Sequence, residues 1–327
     1  MFAAKDSLLT RPSGGGYQIS RSLRFNSADS AYLNRTPATT TNRKTFTWSG
    51  WVKRGLLTTG TYYNLFAAGQ VSGGDDGLFY DTTAGGLYFT LDQGFTSLLI
   101  TTAVYRDPSA WYHVVIAVDT TQATASNRMK MYVNGVQVTD FSSATYPVQN
   151  LDSTFINTTN IHRIGAHTNA GLYFNGYLTE INFIDGQQLT PSSFGSTNAD
   201  TGVWQPKAYS GSYGTNGFYL NFSDNSNTTA ATLGKDYSGN GNNWTPNNFS
   251  VTAGAGNDSM VDVPTPYGID TGAGGNVRGN YCTANPLDTN PSLSITNGNL
   301  DVTDSGATWR NCRCTFGMSS GDRKSVV

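Results

Sequence analysis

The sequence predicts an all-β protein, an antiparallel sandwich of short strands continued by an extended β-rich C-terminal tail. Three observations carry this prediction. Glu180 is the only glutamate among 327 residues, and Lys plus Arg number only 20. Soluble helices fill their exposed faces with Glu and Lys, so a mainly helical chain is excluded. Aromatic residues make up 12% of the chain and glycines number 37, with Thr, Ser and Asn supplying the polarity. That composition suits strands joined by tight turns. Finally, apolar residues alternate in short runs separated by turn signals.

Residues 1–19 read as a flexible lead: Pro12-Ser-Gly-Gly-Gly16 is a turn-rich stretch, and Met1–Thr10 lacks the apolar segment of a secretion signal. Ser22–Asn26 and Ala31–Leu33 are two short strands around a polar turn. Lys44–Arg54 alternates, with Phe46, Trp48, Gly50 and Val52 on one face and Trp51 on the other, so both sides of this strand are expected to be covered. Gly69–Gly94 reads as short hairpins with Gly-Gly and Asp75-Asp76-Gly77 turns. Trp111–Asp119 is a near-continuous apolar run of the kind that forms a central strand. Met129–Val138 is a hairpin with Asn134-Gly135 as its type I′ turn. Ile161–Ala166 and Leu172–Asp185 are further strands, and Thr190-Pro191 starts one short helical turn. The sandwich is assigned to residues 20–196, and a Gly/Asn/Thr-rich strand and linker segment, with one strand at Phe218–Phe222, to 197–276. A fresh strand pattern runs over 277–327.

A net charge of −2 leaves no basic excess to neutralise phosphates, so nucleic-acid binding is not expected. The longest apolar run, around Val114–Val118, is of strand length, well short of the roughly 18–20 residues that cross a bilayer, so no membrane insertion is expected. Cys282, Cys312 and Cys314 are odd in number and lack a nearby histidine, which argues against a disulfide framework or a zinc site; buried thiols on one strand face are expected. Asn34, Asn157 and Asn248 fit the N-glycosylation pattern, an accidental match in a chain this rich in Asn and Thr.

Four segments together resemble the laminin-G-like branch of the concanavalin A-like lectin/glucanase superfamily: Phe46-Thr-Trp-Ser-Gly-Trp-Val52, Trp111–Asp119, Met131-Tyr-Val-Asn-Gly135 and Phe174-Asn-Gly-Tyr-Leu-Thr-Glu-Ile181. The resemblance spans roughly residues 20–195 and implies a concanavalin A-like jelly-roll sandwich. The stretch Gly14–Leu33 with Trp48–Arg54 is similar to structural proteins of tailed phages, marine ones especially. In those a SPRY-type sandwich often follows, and Asn297–Leu300 with Trp309–Gly321 looks like the partial opening of one, cut short at Asp322–Val327. The resemblance implies a virion protein, a tail fibre or particle-surface component made in the host cytoplasm without a signal peptide. Its partners would be other virion subunits, further copies of itself (a trimer by analogy with fibres) and host-surface polysaccharide.

No catalytic residues are expected. Sandwich glucanases place two glutamates and an aspartate on one strand, whereas Glu180 stands alone, so that route to glycoside cleavage is closed. Gly317-Met-Ser-Ser-Gly321 matches a nucleophile-elbow string, but all three histidines precede it. His162 and His167, five residues apart, are expected on opposite faces of a strand. Calcium is the one cofactor considered: Asp236, Ser238 and Asn240 place oxygens at alternate positions of a glycine-rich loop that lacks the closing glutamate. Sugar sites pair an aromatic platform with amides and carboxylates. The candidates are His167, Asn169, Tyr173 and Asn175 in one loop, with Asp76 and Tyr80 in another hairpin; the plainer reading of each is an ordinary turn or sheet-covering residue. A purely architectural virion protein whose sandwich mediates subunit contacts is the alternative, and a polysaccharide-degrading enzyme the third reading.

Overall fold

Strands with an apolar face need a second such face to bury it, and here two eight-stranded antiparallel sheets supply one another. The computed structural model describes residues 17–57, 62–71, 74–80, 85–93, 96–265, 278–306 and 309–317. Its strands begin with β1 (Ser22–Phe25), β2 (Tyr32–Arg35), β3 (Thr45–Arg54), β4 (Tyr63–Gly69), β5 (Asp75–Tyr80) and β6 (Gly86–Leu91). There follow β7 (Ser97–Val104), β8 (Trp111–Asp119), β9 (Met129–Val133), β10 (Val136–Gln137), β11 (Phe141–Thr145), β12 (Ile161–Ile164) and β13 (Gly176–Asp185). Shorter strands complete the set: β14 (Gly195–Thr197), β15 (Trp204–Pro206), β16 (Phe218–Leu220), β17 (Thr245–Asn247) and β18 (Ser259–Met260).

The first sheet runs β10-β9-β8-β3-β13-β1-β18, with β16 also paired to β13; the second runs β11-β7-β6-β5-β4-β12-β2-β17. The all-β sandwich expected from the sequence is therefore the architecture observed. Alternate residues of both sheets meet in one core that includes Leu23, Phe46, Trp48, Leu65, Leu78, Ile116, Ile164, Leu178 and Phe183. Asn134 and Gly135 both take positive φ, 49° and 83°, as a type I′ turn between β9 and β10 requires. No helix among the described residues is long and apolar enough to cross a membrane.

Within the segment 197–276, β16, at the expected Phe218–Phe222 strand, and β18 join the first sheet and β17 the second. Two or three residues apiece, they are held by partners far away in sequence rather than by their own propensity. Residues 266–277 lie outside the described residues, as do 1–16 of the N-terminal lead and 318–321 of the elbow-like string.

The outer face of the first sheet is clad, as Trp51 on the second face of β3 led one to expect. Trp204 stacks beyond His113, which stacks on Trp51, with ring centroids 5.9 and 5.0 Å apart. Lys53, fully buried, donates to Asp262 at 2.7 Å and to Asn280 Oδ1 and the Tyr281 carbonyl at 2.8 Å. Arg24 reaches Asp258 at 2.9 Å, and Tyr177 donates to the Gly298 carbonyl at 2.5 Å. Two buried cations thus fasten the C-terminal part of the chain across this sheet.

Beyond that anchor lie β19 (Ala284–Thr289), β20 (Leu293–Thr296), β21 (Asp301–Asp304) and β22 (Cys312–Cys314), paired as two separate two-stranded ribbons, β19 with β22 and β20 with β21. Cys282 and Cys314 are exposed and Cys312 is half-buried, which corrects the expectation of buried thiols: among the described residues β22 pairs only with β19, in a ribbon two strands wide.

Candidate functional site

β12 is only four residues long, yet its alternation is decisive. His162 and Ile164 point into the core, so Arg163 points out through the face of the second sheet that looks away from it. Arg163 pairs across the ladder with Asn34 of β2 and Ala67 of β4, and Asn34 in turn with Thr245 of β17, so these share that face. Tyr32, two residues along β2 from Asn34, lies there too, its ring 5.0 Å from the Arg163 guanidinium.

The chain leaves β12 through Gly165 at φ 81°, where a Cβ would come within 2.3 Å of the Phe25 ring. A tight loop follows and passes over the end of the sheet. His167 N–H donates to the Gly171 carbonyl and Ala170 N–H to that of His167, while Ala170 and Leu172 hold left-handed φ of 58° and 51°. Such conformations in non-glycine residues persist only where surroundings enforce them and occur often at binding loops. The loop delivers Tyr173, whose ring centroid lies 6.1 Å from that of Tyr32 and whose hydroxyl donates to the Ala170 carbonyl. Its His167 carbonyl accepts from Arg163 Nη1 at 3.0 Å. The His167 ring sits 3.1 Å from the Asp75 carboxylate, and that contact raises its pKa from the usual value against an opposing burial effect. Asn169 is exposed at the rim.

Farther along the same face, Tyr62, Phe79 and Tyr88 form an aromatic group, with centroids of Phe79 and Tyr88 5.2 Å apart and 22° from parallel. The face therefore offers a cation on an aromatic ring, a second ring beside it, amides at the rim and a neighbouring aromatic ridge. These are the groups that hold a polar ring with one apolar side.

Of the sequence-derived site residues, His167, Asn169 and Tyr173 converge here and three others do not. Asp76 is the second residue of β5 instead of part of a hairpin turn; fully buried, it accepts from Ser153 Oγ at 2.8 Å and from the Phe155 and Gln93 backbones at 3.2 Å. Burial pushes its carboxyl up to about 6 against those bonds. Tyr80 is buried under the Arg54 guanidinium, 4.2 Å above its ring. Asn175 is buried and donates to Ser27 Oγ at 3.1 Å. Arg163, Tyr32 and Asn34 were missed. The Ile-His-Arg-Ile alternation was the available signal, and it escaped notice because a four-residue run gives weak periodicity.

The metal candidates are occupied internally. Asp236 accepts from the Tyr219 and Ser238 backbones, from Ser238 Oγ and from the Asn242 backbone, all at 2.8 Å. Asn240 donates to the Gly214 and Gly217 carbonyls. All four carboxylate lone-pair positions serve the turn, so this donor set does not fit calcium, and the described residues contain no cluster of three or more His, Cys, Asp or Glu placed to hold a metal.

Glu180 sits on a β-bulge at φ 53°, where β13 changes partner from β1 to β16 and its register with β3 shifts. Its carboxylate accepts from Tyr17 at 2.8 Å and from Tyr219 at 2.7 and 2.8 Å, so it joins the chain before β1 to β16. Burial raises its pKa to about 7. His113 is buried, and desolvation lowers its pKa to about 3. Trp204 Nε1 donates to Nδ1 at 3.0 Å, so the neutral ring carries its proton on Nε2 and gives it to Ser49 Oγ at 2.9 Å. That direction is the reverse of what a nucleophilic serine needs. His162 lies in the core and His167 in the loop beyond β12, so they are separated by the strand end and not by strand alternation alone.

A family model described as the concanavalin A-like lectin/glucanases superfamily matches residues 26–193, just over half of the chain. The chain belongs to the concanavalin A-like lectin/glucanases superfamily. The match covers β2 through β13 and with them every residue of the Arg163 face except those of β17. No curated protein sequence matches this superfamily member. Among solved structures it is similar to a SAP-like pentraxin from Limulus polyphemus, at 16% identity over 54% of this chain and 80% of that one, with a TM-score of 0.38. It is also similar to Trypanosoma rangeli sialidase (18%, 46% of this chain, 22% of that one, TM-score 0.33). The same holds for domains LG4-5 of the mouse laminin alpha1 chain (15%, 60% and 46%, TM-score 0.35). The chain thus spans less than half of the sialidase and of the laminin fragment.

Proposed function

We propose that this protein is a non-enzymatic, lectin-like module that binds host-surface polysaccharide through the Arg163–Tyr32–Tyr173 face of its second sheet. The observation that carries the reading is that face itself: a guanidinium and two tyrosine rings held on a rigid loop and strand, open at a rim of amides. The buried, tyrosine-bound state of Glu180 and the proton direction at His113 support binding without cleavage. The resemblance to tailed-phage structural proteins supports placing the module in a virion, as a tail fibre or particle-surface component in contact with other subunits and further copies of itself. It likewise supports reading 277–327 as a separate SPRY-like segment.

A glycan array and a host-cell-wall pulldown test the reading. Retention of the wild type, lost with Tyr173→Ala, is the expected result; retention on no polysaccharide rejects it, and release of reducing sugar rejects the non-enzymatic part. Detection of the chain in purified particles, and its position in a particle map, tests the virion assignment.

One observation favours the architectural alternative. The C-terminal ribbons expose Leu287, Phe316 and a fully exposed Trp309, apolar surface suited to a subunit contact. Deleting 284–317 separates the two, since it leaves glycan retention intact under the lectin reading and abolishes assembly under the architectural one.

A further inference from the structure

Three cationic side chains of the sandwich are nine-tenths or more buried on its outer faces, and they are treated differently. Lys53 and Arg24 each meet a carboxylate, at 2.7 and 2.9 Å. Arg163, only 7% exposed, has no carboxylate partner among the described residues. Its Nη1 is tied to the His167 carbonyl, and its Nε, shielded from solvent, has no hydrogen-bond partner among the described residues. The nearby carboxylate of Asp75 is engaged by His167 instead. Buried polar groups left unpaired are rare in native proteins, and a guanidinium has no means of shedding its charge.

With Nη1 tied to the His167 carbonyl and Nε enclosed by protein, Nη2 is the guanidinium nitrogen that is neither bonded among the described residues nor enclosed. A charge-assisted hydrogen bond to a carboxylate is the contact that would neutralise such a cation. The guanidinium lies 5.0 Å from the centre of the Tyr32 ring, and Tyr173 stands beside Tyr32 as a second apolar platform. We infer that the Arg163 face recognises an acidic sugar, a uronic or sialic acid whose carboxylate accepts from Nη2 while a C–H face of its ring lies on Tyr173. This rests on the glycan-binding reading proposed above and specifies its ligand class. The net charge of −2 gives no diffuse attraction to polyanions in general, so selectivity resides in this one cation.

Affinity electrophoresis of the full chain through gels containing polygalacturonate, polysialic acid, methyl-esterified polygalacturonate or neutral dextran tests the inference. Retardation by one or both acidic polymers and none by the esterified polymer is expected, and the two acidic arms distinguish uronate from sialate. Arg163→Lys keeps a cation on β12 but removes the Nη2 donor, so it weakens the acidic interaction about tenfold or more while the melting temperature stays near that of the wild type. Equal retardation by the acidic and esterified polymers, or an Arg163→Lys chain that binds as well as the wild type, overturns the carboxylate assignment and leaves glycan binding standing. Retardation by no polymer overturns both. Comparison of acid with ester uses the wild-type chain alone, so the outcome does not depend on any variant folding.

Discussion

Asp262→Ala should be among the most damaging single changes outside the core. The Asp262 carboxylate accepts from Lys53 Nζ at 2.7 Å with one oxygen and from Trp111 Nε1 at 2.9 Å with the other. Burial pushes its pKa up while Lys53 pulls it down, so the pair persists against a desolvation penalty. Removing it leaves an ammonium with 0% exposure facing only the Asn280 and Tyr281 oxygens. Breaking a buried pair from one side costs about 3–5 kcal/mol, and the orphaned indole N–H adds about 1 kcal/mol. We expect a loss of about 4 kcal/mol in urea unfolding at neutral pH, with a smaller loss for Asp262→Asn. The double variant Lys53→Met, Asp262→Leu should recover most of it, because no charge is then left buried. A loss under about 1 kcal/mol for Asp262→Ala, or a double variant no better than the single, would refute this account of how the tail is held.

Two further outcomes follow. Glu180 holds a folded-state pKa of about 7 against an ordinary value of 4.5, so the folded chain binds a proton that the unfolded chain releases. Its contribution is complete below pH 4.5 and lost as pH rises through about 7. Glu180→Gln cannot ionise, so its stability relative to wild type should improve by on the order of 3 kcal/mol between pH 5 and 8. Desolvated His113 and His162, with pKa values lowered to about 3 and about 4, act in the opposite direction, costing stability in both chains as pH falls below 6.5. A pH-independent difference between the two chains rejects the Glu180 assignment. At the Asp236 turn, millimolar calcium or a chelator should leave the melting temperature unchanged, while Asp236→Ala loses about 2–4 kcal/mol through its orphaned donors; a calcium-induced rise of several degrees reopens the metal reading.

Where a residue's fate depends on its neighbours in the chain, the sequence was readable. The alternation of β3, the apolar run of β8 and the Asn134-Gly135 turn each appear where local pattern places them, because a period of two is local information. The apolar run at Phe218–Phe222 was readable as the strand that β16 forms, whereas β17 and β18 were not legible, since Thr245–Asn247 is a strand only by virtue of β2 and Ser259–Met260 only by virtue of β1. The site divides the same way. His167, Asn169 and Tyr173 were found as a polar-aromatic loop, a property of nine consecutive residues. Asp76 looked like part of a turn because its donors, Ser153 and Phe155, lie more than 70 residues away. Arg163 was overlooked because its meaning is set by what it lacks, a carboxylate partner among the described residues, and only the fold reveals that.

The position of β1 between β13 and β18 also sets an order of events. Ser22 and Leu23 wait for Met260 and Ser259 on one side, and Leu23 waits for Leu178 on the other. During synthesis the second sheet can assemble most of its strands from nearby hairpins, but the first cannot close its edge until more than 230 further residues have followed β1 out of the ribosome. Closure of so long a loop is slow. An incomplete chain therefore carries an open edge at β1 and a bare Lys53 until Ser259, Met260 and Asp262 arrive.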